Sequence, residues 1–188
     1  MSPFINPTDF NSFKCCDTVD CASGNISTIS PQIHSLRWAS TFKIAMRAGW
    51  ANAFAKAKDY KAYSEWNKQL SKAAAASNDN NIAWSMAEAN ENIEQAKQMS
   101  LSATSFAKAE NLKPTEKQPD YLTAKQWQGQ RKNMYGMYAD TYAFILYQTG
   151  DYANGLPYAK DAAAASDFKN AEYNERYSQL MEKVLPPA

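Results

Sequence analysis

Cysteine, histidine and glycine are scarce in this chain of 188 residues, which contains three Cys, one His and six Gly. Cys15, Cys16 and Cys21 lie together in a polar N-terminal stretch, and their spacing matches neither a Cys-x-x-Cys redox site nor a common zinc site. The single imidazole, His34, directly precedes Ser35, and adjacent side chains on a helix diverge. A Ser-His-acid site is therefore not expected. Because a Gly-rich phosphate loop is also missing, we predict neither an enzyme nor a bound metal or cofactor.

The three cysteines leave three interpretations open. They are thiols without a role in a polar tail, or Cys21 forms a disulfide with one of its neighbours, or they take part in metal or thiol-redox chemistry. Thiol-redox chemistry requires at least one thiol whose pKa is lowered.

A long hydrophobic run and an excess of charge of one sign are also missing. Lys and Arg total 20 against 19 Asp and Glu, without a basic block, so neither nucleic acid nor an anionic membrane surface is an expected partner. No segment approaches the roughly 20 apolar residues that span a bilayer, so membrane insertion is not expected. Residues 1–13 lack the charged start and apolar core of a secretory signal.

Alanine is abundant, with runs at 73–76 and 162–165, whereas Val and Ile are rare outside helical patterns. Alanine loses no side-chain entropy in a helix, and β-branched residues favour strands, so the sequence predicts an all-α fold. The length favours one domain. Residues 1–29 are predicted to be a flexible polar arm, and residues 30–188 the helical domain.

Apolar residues that recur every three or four positions predict seven helices, arranged as three antiparallel pairs and a closing helix. The predicted helices cover residues 30–57, 59–77, 79–88, 93–109, 122–149, 151–165 and 170–184. Residues 114–119 carry a proline at each end and polar residues between, which predicts an exposed loop.

Individual residues mark details of these helices. Asp59 and Asp79 are predicted N-caps of the second and third helices. Gly129 and Gly136 are expected to make the fifth helix irregular. Pro157 is expected to kink the sixth helix unless it lies in the first turn or two.

Two similar segments suggest an internal repeat. Lys58-Asp59-Tyr60 aligns with Gly150-Asp151-Tyr152, which places small Ala51 opposite small Ala143. Small residues where two helix backbones approach, followed by a tight turn, are typical of antiparallel helix pairs of the tetratricopeptide type. An ordinary alanine-rich helical bundle is the alternative.

Three segments together look like a known helical region: 58–63, 80–88 and 139–152. They are similar to the tetratricopeptide-like region attached to thioredoxin-like proteins of some bacteria, usually exported ones, and the similarity spans residues 40–185. The thioredoxin domain with its Trp-Cys-x-x-Cys site is absent, so disulfide reductase activity is not implied. The resemblance implies a right-handed stack of helical hairpins with a closing helix, serving as an accessory or partner-binding module outside the cytoplasm.

In such stacks the first helix of each pair lines a concave groove, because each hairpin is rotated relative to the last. Transferring this geometry by the alignment above predicts a groove that mixes aromatic anchors with amide groups. The predicted groove residues are Asn52, Lys56, Asn80, Trp84, Glu88, Asp140, Phe144, Tyr147 and Gln148.

Each groove residue also has a simpler interpretation. Trp84 and Phe144 are then packing residues between neighbouring hairpins. Asn80 begins its helix, Glu88 is a solvated charge, and Asp140 is a local hydrogen-bond partner for a neighbouring residue.

The leading functional hypothesis is a non-enzymatic helical-repeat module that binds a protein or peptide through this groove. The alternative is an accessory role in a thioredoxin-like thiol-disulfide system, through the N-terminal cysteines or with a separate thioredoxin domain. A homodimer formed through an uncapped edge of the stack is also left open.

Overall fold

The computed structural model describes residues 46, 47 and 49–185, and all regular secondary structure in this part of the chain is helical. Within it the helices are α1 (46, 47 and 49–56), α2 (Tyr60–Asn67), α3 (Lys72–Glu88), α4 (Ile93–Leu112), α5 (Ala124–Gln148), α6 (Tyr152–Ala165) and α7 (Ala171–Val184). The all-α fold class is confirmed. The predicted arm over residues 1–29, the helix start at residue 30, the three cysteines and His34 lie outside the described residues.

Four of the described helices, α1, α3, α5 and α6, end in the same type of turn. The second residue past each helix has a positive φ, which is 59° at Lys58, 51° at Asn90, 75° at Gly150 and 52° at Asp167. The next amide then donates to a carbonyl five residues earlier: Asp59 to Phe54, Glu91 to Met86 and Asp151 to Leu146 at 2.9 Å, and Phe168 to Ala163 at 2.8 Å. This arrangement satisfies carbonyls that a helix end leaves without partners. The segments 58–60 and 150–152, aligned from sequence, thus share one backbone geometry.

From α3 onward the helices alternate between two layers. The first layer contains α3, α5 and α7, with α5 contacting the other two. In the second layer, α4 packs against α3 and α5, and α6 packs against α5 and α7. Trp84 and then Ala87 of α3 meet Phe144 and then Gln148 of α5. The first-layer helices α3 and α5 therefore run in the same direction.

Small residues lie where helix backbones approach most closely. A Cβ added to Gly136 of α5 would lie only 2.5 Å from the Cβ of Ala165 in α6. A Cβ on Gly155 of α6 would lie 3.2 Å from Leu146 and from Leu180. Because real side-chain carbons do not approach so closely without a shift of their neighbours, the absent side chain of Gly136 permits the close contact of α5 with α6.

Side-chain caps fix several helix starts. The carboxylate of Asp59 accepts from the N–H of Ala62 at 3.0 Å, so its predicted role as an N-cap is confirmed. Thr123 and Gln126 form a reciprocal capping box at the start of α5. Asn170 caps α7 with its side-chain oxygen.

The predicted boundary between the second and third helices is wrong. α2 already ends at Asn67, and Ser71 caps α3, so residues 72–77 belong to α3. Asp79 is not an N-cap, because it lies within α3 and its carboxylate accepts a hydrogen bond from Tyr63. Alanine occurs on any face of a helix, so the alanines near the start of α3 disturb no apolar periodicity. Periodicity alone therefore does not show the break between α2 and α3.

The expected irregularity of the fifth helix is also wrong, because α5 is continuous through Gly129 and Gly136. Pro157 lies in the second turn of α6, a position at which the helix continues in both directions. The loop over residues 114–119 is exposed for most of its length, as predicted, and it separates α4 from α5.

Candidate partner-binding face

Three side chains from α3, α5 and α7 meet on one face of the first layer. The ring centroids of Trp84 and Phe144 lie 5.2 Å apart, with the ring planes tilted by 40°. The guanidinium carbon of Arg176 lies 4.6 Å from the Phe144 centroid and 5.9 Å from the Trp84 centroid. Both rings are half-buried, so this Trp84–Phe144–Arg176 cluster keeps part of its surface in contact with solvent.

A buried carboxylate holds the guanidinium in place. Arg176 donates from Nε to Asp140 Oδ1 at 2.6 Å, and the two side chains are only 14% and 7% exposed. Burial raises the pKa of Asp140, although the hydrogen bond from Arg176 and its positive charge act to lower it. The partner of Asp140 is therefore a distant arginine, and the interpretation of this residue as a local hydrogen-bond partner is wrong.

The other ion pairs of the described residues are all more exposed than the pair of Asp140 and Arg176. Removing two charges from water costs several kcal/mol per ion, so a buried pair is a weak source of net stability. What the pair does supply is a fixed orientation of the Arg176 side chain next to two aromatic rings.

Gln148 and Asn80 lie outside the Trp84–Phe144–Arg176 cluster, the first exposed and the second buried. Gln148 donates from Nε2 to the carbonyl of Ala87 at 2.9 Å and so ties the C-terminal ends of α3 and α5 together. Asn80 lies in the middle of α3 and is 3% exposed, so the interpretation that it begins a helix is wrong. Its Oδ1 accepts no hydrogen bond from the described residues. Glu88 is exposed at the C-terminal end of α3.

Tyr147 contributes to a different environment. Its ring lies 5.5 Å from the ring of Tyr152, and it packs against the buried cluster of Ala143, Ala159 and Leu180. These contacts assign Tyr147 to the packing between α5, α6 and α7, although its side chain is only half-buried.

Asn52 and Lys56 line a separate cavity of about 380 Å³ between α1 and α3. The α3 residues in its wall are Asn81, Ile82, Ser85 and Met86. These lie on a different side of α3 from Trp84, which contacts α5. Of the nine predicted groove residues, the structure therefore brings Trp84, Asp140 and Phe144 together and places Asn52 and Lys56 elsewhere.

Sequence reasoning missed Arg176. Tyr173, Tyr177 and Leu180 form an apolar stripe along α7, and Arg176 falls on the same helical face because it lies three residues after Tyr173 and four before Leu180. A charged residue within an apolar stripe predicts a buried partner of opposite charge, which here is Asp140.

A further cavity of about 400 Å³ lies between α4 and α6, in the second layer. Its floor contains Tyr142, whose ring meets that of Tyr158 edge-on at 4.9 Å. Ion pairs between the two helices lie near its ends: Lys97 with Asp151 at 3.3 Å, and Lys108 with Asp161 at 4.0 Å. Its carboxylates are thus already matched by lysines, and no predicted groove residue lines this cavity.

No protein-family model, no curated protein and no solved structure matches this chain. Within residues 46, 47 and 49–185, no three His, Cys, Asp or Glu side chains are grouped to hold a metal ion. In the same part of the chain, no helix has the length and apolar character needed to cross a bilayer.

Proposed function

We propose that this chain is a non-enzymatic helical-repeat module that binds a protein or peptide through the face formed by α3, α5 and α7. The observation that carries the proposal is the Trp84–Phe144–Arg176 cluster, in which three successive first-layer helices each contribute one side chain to a surface that is partly open.

The repeated backbone geometry supports a tetratricopeptide-like stack. The ends of α1, α3, α5 and α6 share one turn type, and the helices from α3 onward alternate between two layers. In a stack of this kind successive first helices line one continuous surface, which is suited to an extended partner.

The chemistry of the face supports partner binding. Trp and Arg are enriched among the residues that dominate binding energy at interfaces. The rings and the guanidinium are already ordered by mutual packing and by Asp140, so little side-chain entropy remains to be lost when a partner binds.

The role in thiol-disulfide chemistry stays a hypothesis, because Cys15, Cys16 and Cys21 lie outside the described residues. The location outside the cytoplasm likewise rests on the resemblance alone. A comparison with and without reductant separates the thiol hypothesis from binding at the face.

The test compares partners captured from an extract of the source organism on the immobilised full chain and on its Trp84→Leu variant. We expect at least one captured protein to bind the variant about tenfold more weakly or worse, as for loss of an aromatic anchor. Leucine keeps an apolar contact for Phe144, and far-UV circular dichroism checks that the helices are retained.

Trp127→Leu is the matched control, because Trp127 lies in the first turns of α5 and contacts Arg131, away from the cluster. It should capture the same proteins as the unchanged chain. An identical set of partners on all three proteins would contradict binding at this face. Capture that is lost only in the presence of reductant would instead support the N-terminal cysteines.

A further inference from the structure

Arg176 has hydrogen-bonding capacity that residues 46, 47 and 49–185 do not use. A guanidinium carries five N–H donors. Only Nε is used, by Asp140, and no other described residue accepts a hydrogen bond from this side chain. With 14% of the side chain exposed, the guanidinium still reaches solvent. The edge formed by its two Nη groups can pair with a carboxylate in the two-bond geometry.

We infer that the partner is an extended segment with an acidic side chain that pairs with Arg176 and an apolar side chain two residues away that packs on Trp84 and Phe144. This inference rests on the proposed function of the same face and specifies the chemistry of its partner.

The spacing follows from the dimensions of the cluster. Side chains two residues apart on an extended chain point to the same side and lie about 6.5 Å apart. The guanidinium carbon of Arg176 lies 5.9 Å from the Trp84 ring and 4.6 Å from the Phe144 ring. A segment with one intervening residue therefore reaches the guanidinium and the rings together, whereas directly adjacent residues point to opposite sides.

Recognition at this site depends on hydrogen-bond geometry more than on net charge. Asp140 already pairs with Arg176, and Glu172 lies one turn earlier on α7, close enough to raise the pKa of Asp140. The positive charge of the guanidinium is therefore largely balanced. A lysine at position 176 would keep that charge but lose the planar pair of Nη donors.

The test is a selection from random peptides fused to carrier protein at both ends, so that no free terminus is present, on the immobilised full chain. We expect the enriched peptides to contain an acidic and an apolar residue separated by one position, in either order. Changing the acidic residue to its amide should weaken binding about tenfold. The Arg176→Lys variant should lose about as much affinity and should no longer distinguish acid from amide.

Lys160→Gln is the control for an unrelated change of charge, because Lys160 is exposed on α6. It should bind the selected peptides as the unchanged chain does. A second variant, Arg176→Gln, shows whether a loss of affinity comes from a folding defect that only the lysine substitution causes. Circular dichroism is recorded for both variants.

Two results would overturn the inference in distinguishable ways. If the peptides lose affinity for Trp84→Leu but bind Arg176→Lys as tightly as the unchanged chain, the proposed binding face is retained. The inferred pairing of a carboxylate with Arg176 is then wrong. If no enriched peptide distinguished Trp84→Leu from the unchanged chain, the proposed function would fail and the inference with it.

Discussion

Asp79 is the residue through which α2 is joined to α3. Its Oδ1 accepts from the hydroxyl of Tyr63 at 2.6 Å and from Nδ2 of Asn67 at 2.9 Å. Asn67 in turn donates to the carbonyl of Ala75 at 3.1 Å and accepts from Asn78 at 3.1 Å. Burial raises the pKa of Asp79, while the hydrogen bonds from Tyr63 and Asn67 act to lower it.

This raised pKa predicts a particular dependence of stability on pH. A carboxyl group with a higher pKa in the folded protein than in the unfolded chain binds its proton more readily when folded. Its ionisation therefore destabilises the fold at neutral pH, and the penalty disappears as the pH falls towards the unfolded value near 4.

We expect the wild type to gain stability relative to Asp79→Asn when the pH is lowered from 7 to 5, since asparagine cannot take up the proton. Urea unfolding at both pH values, followed by circular dichroism, measures the difference. Asp140 is present in both proteins, so its own raised pKa cancels in the comparison. A difference in unfolding free energy that is the same at both pH values would contradict the prediction.

At the scale of residues, the sequence identifies which side chains share one face of a helix. It does not identify the residues on other helices to which they form hydrogen bonds. The sequence predicts Asp140 as a groove residue, or alternatively as a local hydrogen-bond partner, and Asp79 as a cap. Their hydrogen-bond partners Arg176 and Tyr63 lie 36 and 16 residues away. Pairings over such distances depend on how helices pack, and periodicity within one helix contains no information about that.

At the scale of elements, alanine substitutions at the two glycines of α5 are expected to change the stability of the protein in opposite directions. Gly136→Ala should destabilise the protein by about 1–3 kcal/mol, because its new Cβ would meet Ala165 at 2.5 Å and force α5 and α6 apart. Gly129→Ala is the matched control, since a Cβ there has no neighbour within 4 Å. It should stabilise the same helix by about 0.5–1 kcal/mol. Thermal and urea unfolding of the two variants measure both changes, and effects of the same sign would contradict this account.

Most elements could be predicted because their starts and ends carry specific residues. The bounds of α4, α6 and α7 follow closely from apolar spacing, from the turn at Gly150 and from Asn170. The break between α2 and α3 could not be predicted in the same way. Four consecutive alanines begin near it, and Ser71 was the only local indication of a new helix.

At the scale of the whole molecule, α5 lies at the centre of the described stack and packs against α3, α4, α6 and α7. We expect its amides between Tyr138 and Leu146 to exchange with solvent most slowly, because opening α5 requires the loss of both layers. Hydrogen exchange followed by mass spectrometry provides the measurement. Exchange at α5 as fast as at α2 would contradict the expectation.

Leu180→Ala should destabilise the C-terminal end of the described helices, where α7 packs on α6. Leu180 is fully buried against Gly155, and its truncation is expected to cost about 2–5 kcal/mol. Exchange should accelerate more in α7 than in α3, because Leu180 packs on α6 at Gly155, whereas α3 meets α7 at the separate contact of Trp84 with Arg176. Leu185→Ala is the control with little expected effect, since Leu185 is 57% exposed. Equal acceleration throughout would instead indicate that the described helices unfold only as one unit.

The arrangement of whole helices was only partly accessible from the sequence. Alignment of 58–60 with 150–152 predicted equivalent turns, and these share one geometry. The predicted groove residues nevertheless fall in separate places, because Asn52 and Lys56 meet the Asn81 side of α3. Transfer by alignment fixes the order of helices but not the rotation of each helix about its own axis.

The side chains of the Trp84–Phe144–Arg176 cluster become available one after another while the protein is synthesised. Chains emerge from the ribosome with the N-terminal part first. Trp84 and Phe144 therefore leave the ribosome and are able to pair before Arg176 has emerged. Until α7 docks, the nascent chain presents two aromatic rings and an unpaired Asp140. A chaperone that binds the nascent chain would therefore meet the same aromatic rings that we propose as part of the partner-binding face.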